Sequence, residues 1–509
     1  MNKIILIFTT LSFIFCAPVS ADRALEVAGN IFIQYHDSHD IDNFVVSETV
    51  QISSDSGTLI YLYHLDPIGF ILISGHDSAV PCLGFGFESN FRLEGMPGNL
   101  AGLMNSFETD ISEMIENDMP QSEDIREMWN RFTSDNFNYT RERNVYPLID
   151  AEFNQSGGWN NGVTSGIGFN GPVGCVSVAM CQVMHYWSHP YVGEGSHFYY
   201  EDDYGLIEVS FEDSYYDFDN MAATYATAPS QLLLFHAGVS VNMDYDFSGS
   251  GAWVVGSYPS SEYALQTFFK YSENISHVYK QFFSDTEYRN IIKEELDNNR
   301  PIIARGYDNA DYGGHAWNID GYVGNNLHCN WGWGGSSNGY FNVSSMGGFP
   351  NDQAALIGII PNTIENPTAL FDYYTDVSTV YFIDLSSEIN VDEIRSWHWD
   401  FGDGGTETTD SGEVSYTFQS SGSYTVELVV ENIYGMLSEP FVETIEVSAG
   451  IPGDVNQDSY TDVLDIVLLV NFILGETPSN SEFFAADLNS DGIINIQDVI
   501  LLISIVVNG

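Results

Sequence analysis

The side chains best suited to covalent chemistry are a cysteine and a histidine that lie far apart in the chain. Cys175 stands in GPVGCVSVAMCQVMHYW, where glycine and proline interrupt the structure and apolar residues at helical spacing follow. This pattern predicts a helix that begins at or just after Cys175. A thiol at a helix N-terminus lies near the positive end of the helix dipole, which favours the thiolate, the nucleophilic form.

A cysteine nucleophile needs an imidazole that accepts its proton and later returns it to the leaving amine. His315 is the candidate, because Gly313 and Gly314 precede it and it begins the strand-like run HAWNIDGYV. A histidine at the start of a buried strand can face Cys175 across a cleft, and the alternative is a histidine of the core. Cys181 is expected to be a core residue, which is also the alternative for Cys175.

A second set of side chains, near the C-terminus, predicts calcium binding. The segments DVNQDSYTDVLD and DLNSDGIINIQD have carboxylate or amide side chains at loop positions 1, 3, 5, 9 and 12, and each runs into an apolar helix-like stretch. Oxygen ligands at this spacing wrap around one calcium ion, and position 7 adds a backbone carbonyl. Ser459 stands where the second loop has Gly492, which predicts a weaker first site. The predicted ligands are Asp454, Asn456, Asp458, Tyr460, Asp462 and Asp465, then Asp487, Asn489, Asp491, Ile493, Asn495 and Asp498.

These residues belong to a long and acidic chain. Its 509 residues carry a net charge of −57, and a chain of this length folds into about two to four domains. A polyanion repels nucleic acid and anionic membrane surfaces, so both are excluded as partners. Two explanations of the acidity stay open, namely solubility and a saline or calcium-rich medium.

The first residues are typical of an export signal. Lys3 precedes an apolar run at residues 4–15, and Val19-Ser20-Ala21 offers a small-residue cleavage site. The run is too short to span a bilayer easily and no later stretch qualifies, so no transmembrane segment is predicted. The protein is therefore expected to be secreted, either extracellular or attached to a cell surface.

Patterning divides the chain into a signal peptide, residues 1–21, and four further parts. Residues 22–144 mix strand-like runs with helical stretches at 24–35 and 101–118, and residues 145–361 contain Cys175 and His315. Beyond a Pro/Asn linker, residues 366–448 alternate apolar and polar in short runs, typical of an all-β sandwich. Residues 450–509 hold the two predicted calcium loops and contain no Lys or Arg.

Several motifs, in order, resemble the streptopain family of papain-like cysteine peptidases. GCVSVAMCQVMHYWSHP resembles the family's nucleophile helix, GGHAWNIDGY its histidine strand, and NWGWGGSSNGYFNV its tryptophan-rich loop. The resemblance implies an α+β papain-like fold for residues 145–361, with Cys175 as nucleophile and His315 as base.

The resemblance also implies roles for three neighbours of this pair. Trp333 would shield the ion pair from water, while Trp331 is expected to be structural. Gln155 would help to form the oxyanion hole, and the alternative is a surface residue. Asn330 is the candidate group that orients His315, and the alternative is a turn residue.

The other parts resemble known modules. Residues 22–144 are similar to the family's inhibitory propeptide, which implies an α+β domain over the cleft until cleavage in RFTSDNFNYTRERNVYP; the alternative is an unrelated N-terminal domain. SWHWDFGDGG and the following strands resemble an immunoglobulin-like polycystic-kidney-disease (PKD) domain, a spacer or adhesion module. The calcium loops resemble a dockerin, a small α domain, which implies a cohesin-bearing scaffold or a cell surface as partner; the alternative is a calcium-stiffened terminus.

Taken together, the sequence predicts a secreted cysteine endopeptidase, made as a zymogen, that hydrolyses protein or peptide substrates. Calcium is predicted as a structural ion, and no cofactor is needed for catalysis. One alternative is a catalytically silent relative that acts as a surface adhesion or scaffold-docked binding protein, and another is a cysteine transferase or processing enzyme. The presence of both Cys175 and His315 favours the peptidase.

Overall fold

The chain divides into two compact units, Met1–Thr363 and Ile364–Gly509. Most of the predicted signal peptide, including Cys16, lies outside the described residues. The computed structural model describes residues 17–36, 43–96, 98–134, 137–140, 142–307, 314–342, 351–376, 378–387, 394–447, 451–489 and 491–508.

The small residues predicted for signal cleavage are part of the folded N-terminal region. Val19 is buried, and its carbonyl accepts a hydrogen bond from the Tyr61 hydroxyl at 2.8 Å. The Ser20 hydroxyl accepts the N–H of Arg23 and so caps the first helix. A cut after Ala21 would remove these contacts, and the position of signal cleavage stays a prediction.

The N-terminal region is an antiparallel sheet with helices on both faces. Its elements are α1 (Ala21–Tyr35), β1 (Val46–Ser54), β2 (Gly57–Leu65), β3 (Phe70–Ser74), β4 (Cys82–Gly86), α2 (Gly98–Glu116) and α3 (Glu123–Phe132). Because side chains alternate along a strand, β2 directs Tyr61 and Tyr63 towards α1 and α3, and Ile60 and Leu62 towards α2. The helices predicted from residues 24–35 and 101–118 are confirmed.

The part with the candidate site combines helices with the central strands of a large sheet. Its helices are α4 (Asn161–Ile167), α5 (Cys175–Trp187), α6 (Ala228–Ser240), α7 (Ser261–Thr267) and α8 (Asp285–Asp297). Its strands are β5 (Asn144–Val145), β6 (Ser196–Glu201), β7 (Gly205–Ser210), β8 (Ser276–Tyr279), β9 (Ile302–Tyr307), β10 (Gly314–Val323), β11 (Asn326–Asn330), β12 (Gly339–Asn342) and β13 (Asn351–Ile357).

A single sheet runs through both parts of the first unit. Its strand order is β1-β2-β3-β4-β12-β11-β10-β9-β13-β8, with β5 paired to β10. The junction is the antiparallel pair of β4 and β12, in which Phe85 lies opposite Tyr340 and Gly84 opposite Phe341. At position 86, at the end of β4, only glycine fits, because a Cβ there would lie 2.7 Å from the carbonyl oxygen of Asn338.

The second unit begins with the predicted sandwich, and its fold class is confirmed. The strands are β14 (Phe371–Asp376), β15 (Thr379–Asp384), β16 (Ile394–Asp400), β17 (Thr406–Thr409), β18 (Glu413–Thr417), β19 (Gly422–Asn432) and β20 (Phe441–Val447). They form two sheets, β14-β15-β18 and β17-β16-β19-β20. Val426, Leu428 and Val430 alternate into the core beside Trp399, as the sequence predicts.

A small helical domain follows, with α9 (Val463–Ile473), α10 (Asn480–Ala486) and α11 (Ile496–Asn508). The sequence predicts a single helix after each loop, so α10 is an addition. It forms because the side chains of Ser479 and Glu482 make a reciprocal capping box at its start. None of the helices in the described ranges has the length and hydropathy that crossing a bilayer needs.

Gly86→Ala, in a precursor made inert by Cys175→Ala, is expected to lower the free energy of unfolding by about 1–3 kcal/mol, because the new methyl group collides with backbone across the β4–β12 junction. Denaturant titration measures this change. Gly29→Ala is the control, since its methyl group would lie 3.6 Å from Phe44, an ordinary contact. Equal stability of the two variants would contradict a tightly packed junction.

Candidate active site

Helix α5 begins at Cys175, as the sequence predicts. The residue before it, Gly174, has φ 94°, and a Cβ there would lie 2.6 Å from Met243 Sδ. A side chain at position 174 would therefore suffer both strain and collision, which is why glycine stands there. The apolar residues of α5 that follow Cys175 are buried against α6 and β10.

His315 stands near the start of β10, where it pairs with Gly306 of β9. The next residue brings the strand to the helix, because the Ala316 N–H donates to Cys175 Sγ at 3.4 Å. Cys175 and His315 line one cleft of about 370 Å³. Gly313 lies outside the described residues, but the strand predicted after it is confirmed.

Apolar, polar and charged residues line the cleft. The other lining residues are Val176, Asn242, Asp244, Gly251, Ala252, Trp253, Val254, Arg305, Gly306 and Gly314. Trp253 exposes 45% of its surface, enough to contact a bound chain, whereas Arg305 is buried and donates to the Val255 carbonyl at 3.0 Å. Neither residue is predicted from the sequence, because no local motif marks it.

The thiol of Cys175 is not poised as a thiolate in this structure. Burial raises its pKa above the usual value, and the backbone N–H groups of Ala316, Val176 and Cys175 itself only partly oppose this. The N–H groups at the start of α5 lower the pKa, as expected at a helix N-terminus, but burial outweighs them. A stable thiolate here needs a nearby positive charge, such as an imidazolium.

Gln155 is buried, so the alternative of a surface residue is wrong. Its carbonyl accepts the N–H of Val173 at 2.9 Å, which places it beside the turn that leads into Cys175. This position suits a group of the oxyanion hole, and that role stays a prediction.

The tryptophan-rich loop packs directly on helix α5. Trp331 is buried and its indole N–H donates to the Ser337 carbonyl at 3.0 Å, in agreement with a structural role. A Cβ at Gly332 would lie 2.8 Å from Val178, which fixes how closely the loop approaches. Trp333 is half-buried at the edge of this cluster, and its shielding of the ion pair stays a prediction.

Asn330 is a buried strand residue and not a turn residue. Among the described residues, its amide donates to the Ala151 carbonyl at 3.0 Å and accepts the Gln182 amide at 3.0 Å and the Gly332 N–H at 3.2 Å. The Asn318 amide joins this network by donating to Gln182 at 2.9 Å. These contacts fix α5 against the sheet, and the orientation of His315 by Asn330 stays a prediction.

Gln182 and Asn318 are positioning residues that the sequence analysis missed. The available signal was a polar side chain in the otherwise apolar face of α5. The remaining cysteines of the described residues, Cys82, Cys181 and Cys329, are buried and unpaired, as expected for core residues.

The first predicted calcium loop is held by its own carboxylates. Asp454 accepts the N–H groups of Asp458 and Ser459 at 3.0 and 2.8 Å. Asp465, at the last loop position, accepts two further backbone N–H groups, and it is fully buried. Ser459 has φ 74°, a left-handed conformation that costs free energy for a residue with a Cβ.

The second loop repeats this hydrogen-bond pattern with Asp487 and Asp498, and Asp498 is also fully buried. Gly492 has φ 77° and takes the left-handed position without strain. No group of three or more His, Cys, Asp or Glu side chains in the described ranges is gathered closely enough to hold a metal. The oxygen-only donors and the buried carboxylates, in a segment without Lys or Arg, nevertheless fit calcium chemically.

Comparison with known proteins accounts for all four parts. The chain matches the Spi protease inhibitor family over residues 16–111, the Peptidase C10 family over 153–341, the PKD domain over 365–447 and the dockerin type I domain over 452–506. These matches confirm the streptopain-family, PKD and dockerin resemblances.

Individual relatives agree with these matches. Streptopain of Streptococcus pyogenes is 28% identical over 338 residues, which cover 60% of this chain and 82% of streptopain. A thiol protease/hemagglutinin of Porphyromonas gingivalis is 25% identical over 386 residues, which cover 69% of this chain and 43% of that protein.

A mutant fragment of prointerpain A from Prevotella intermedia has a TM-score of 0.50 at 22% identity, over 62% of this chain and 98% of that one, and supports the α+β fold. Together with the family matches, these relatives show that this chain is a cysteine peptidase that carries a Spi-type inhibitor domain, a Peptidase C10 domain, a PKD domain and a type I dockerin domain, in that order.

Proposed function

We propose that the chain is a secreted cysteine endopeptidase, made as an inactive precursor, with Cys175 as nucleophile and His315 as base. The observation that carries the proposal is the meeting of α5 and β10 in one cleft, where the Ala316 N–H donates to Cys175 Sγ at 3.4 Å. The Peptidase C10 match over residues 153–341 spans both side chains.

The proposed chemistry needs only groups of this chain and water. His315 takes the thiol proton, and Cys175 Sγ attacks the scissile carbonyl carbon of a protein or peptide substrate. The N–H of Cys175 at the start of α5 and the amide of Gln155 stabilise the oxyanion. When the C–N bond breaks, His315 protonates the leaving amine, and water that His315 deprotonates then releases the acyl group.

The inhibitor domain contacts the peptidase domain beside the cleft. No residue of the inhibitor domain lines the described part of the cleft. Besides the β4–β12 pair, the inhibitor domain contacts the tryptophan-rich loop: Ser89 donates to the Asn338 carbonyl at 2.9 Å, and the Arg92 N–H donates to the Ser337 hydroxyl at 3.1 Å. We propose that these contacts hold the precursor inactive until cleavage in the exposed part of residues 131–147.

In the dockerin domain, we propose that each loop binds one structural calcium ion through its predicted ligands. The ion supplies the positive charge that the buried carboxylates Asp465 and Asp498 lack in a segment without Lys or Arg. Dockerin domains dock to cohesins, so the proposed partner is a cohesin-bearing scaffold or cell surface. Exposed apolar side chains of α9 and α11, such as Val463 and Ile496, supply a surface for it.

Cys175→Ala is expected to abolish both peptide hydrolysis and self-processing, because the reaction loses its nucleophile. Intact mass after treatment with an epoxide inhibitor of papain-like peptidases should show one adduct on Cys175, and none in His315→Ala. Cys181→Ala is the matched control on the same helix and should keep its activity. A matured enzyme without the adduct would contradict the proposed pair, and normal maturation of Cys175→Ala would show that another protease makes the cut.

The uncut precursor is expected to be alkylated at Cys175 slowly at neutral pH and faster in alkaline solution. Since burial raises the pKa of this thiol, the rate in the precursor should increase as the pH rises and the thiolate forms. Iodoacetamide labelling followed by peptide mass spectrometry measures the rate. A rate in the precursor that does not change between neutral and alkaline pH would contradict a buried, neutral thiol.

Ser459→Gly is expected to tighten calcium binding in the first loop by about fivefold, because it removes a left-handed strain of about 1 kcal/mol. Gly492→Ser should weaken the second loop in the same proportion. Calorimetric titration measures both affinities, and peptide hydrolysis should be unchanged in both variants. An unchanged affinity of the first loop would show that its strain does not limit binding.

A further inference from the structure

A buried imidazole joins the inhibitor domain to the peptidase domain through two carboxylates. His328 lies on β11 and its side chain is only 2% exposed. Its Nδ1 is 2.6 Å from Asp320 Oδ1 on β10, and its Nε2 is 2.5 Å from Glu88 Oε1, which follows β4 in the inhibitor domain. The Asp320 side chain is fully buried, and that of Glu88 is 40% exposed.

The positive charge of the His328 ring is attracted by the negative charges of Asp320 and Glu88. Burial by itself would lower the pKa of His328, but Asp320 and Glu88 outweigh burial and raise it to about 10. The ring therefore carries a proton on both nitrogens at neutral pH and donates one to each carboxylate.

The described neighbours of Glu88 and His328 include a tyrosine and a second glutamate. The Tyr340 ring of β12 lies edge-on at 5.0 Å, and burial raises the pKa of its hydroxyl group. Burial and the charge of Glu88 raise the pKa of Glu152. Removal of Glu88 would therefore leave His328 with Asp320 as its remaining close carboxylate.

The same groups connect the two sides of the expected maturation site. The Asp320 carbonyl accepts the Leu148 N–H at 2.8 Å, and its carboxylate accepts the Ile149 N–H at 3.2 Å. These two residues lie just after the expected cleavage stretch. On the other side, Glu88 begins the loop that bonds to the tryptophan-rich loop, in which the Ser337 N–H donates to the Asn90 carbonyl at 3.3 Å.

We propose that Glu88, His328 and Asp320 form an ionic latch that holds the inhibitor domain against the peptidase domain until maturation. The β4–β12 pair supplies backbone hydrogen bonds of the interface between the two domains. The latch adds a charge pair across this interface, between Glu88 of the inhibitor domain and His328 of the peptidase domain. After maturation the peptidase keeps the Asp320–His328 half. The regulatory meaning of the latch rests on the proposed zymogen function, but its existence does not.

The latch is linked to proton binding. The His328 pKa is raised from 6.5 to about 10 in the precursor, so its stabilising contribution is complete below the ordinary pKa of histidine. The contribution is lost as the pH rises through the raised value, when the imidazolium gives up its proton. The contact between the inhibitor domain and the peptidase domain at β4 and β12 should therefore weaken in alkaline solution.

The test uses the full chain with Cys175→Ala, so that it does not depend on peptidase activity. Glu88→Gln removes the charge but keeps the size of the side chain, and Glu94→Gln is the matched control at an exposed position further along the same loop. Hydrogen–deuterium exchange is followed in peptides that cover residues 82–92 and 326–342. Glu88→Gln should speed exchange there by about tenfold, as expected for one partly exposed charge-assisted pair, and Glu94→Gln should not.

The difference between Glu88→Gln and the unaltered precursor should shrink above a pH of about 10, where His328 is neutral. Equal exchange in Glu88→Gln and the precursor at neutral pH would overturn the latch. In the chain with an intact Cys175, Glu88→Gln should also shorten the lag before activity appears. An inactive wild-type chain combined with faster exchange in Glu88→Gln would refute the proposed function and leave the latch in place.

Discussion

The structure depends on how closely the start of α5 approaches β10. Cys175 meets the backbone of Ala316 only because Gly174 and Gly332 have no side chains where the helix, the preceding turn and the tryptophan-rich loop converge. The amide network around Gln182 then fixes the helix against the sheet with neutral hydrogen bonds in a buried place. Neutral groups suit this position, because a buried charge would need its own partner.

The inhibitor domain and the peptidase domain share one hydrogen-bonded sheet. The pair β4–β12 makes the inhibitor strands the edge of the peptidase sheet, which protects an otherwise exposed strand of the catalytic part. In the described part of the cleft, the lining residues all belong to the peptidase domain. The ion pair of Glu88 with His328 belongs to this joined state.

The C-terminal unit uses charge in a different way. Its helical domain has a small core and places carboxylates in two loops, where they accept backbone N–H groups of the same loop. This segment contains no Lys or Arg, so none of its own side chains of these types balances the carboxylates.

The sequence by itself determined what local patterns encode: the helix that begins at Cys175, the strand at His315, the alternation of the sandwich, and the two loops with their ligand spacing. Only the tertiary structure decided which distant residues meet. It placed Asn330 in the Gln182 network, buried the Cys175 thiol enough to keep it neutral, and joined Glu88 to His328. Such contacts leave no local signal, because burial and ion pairing depend on chain segments that come together only when the sheet forms.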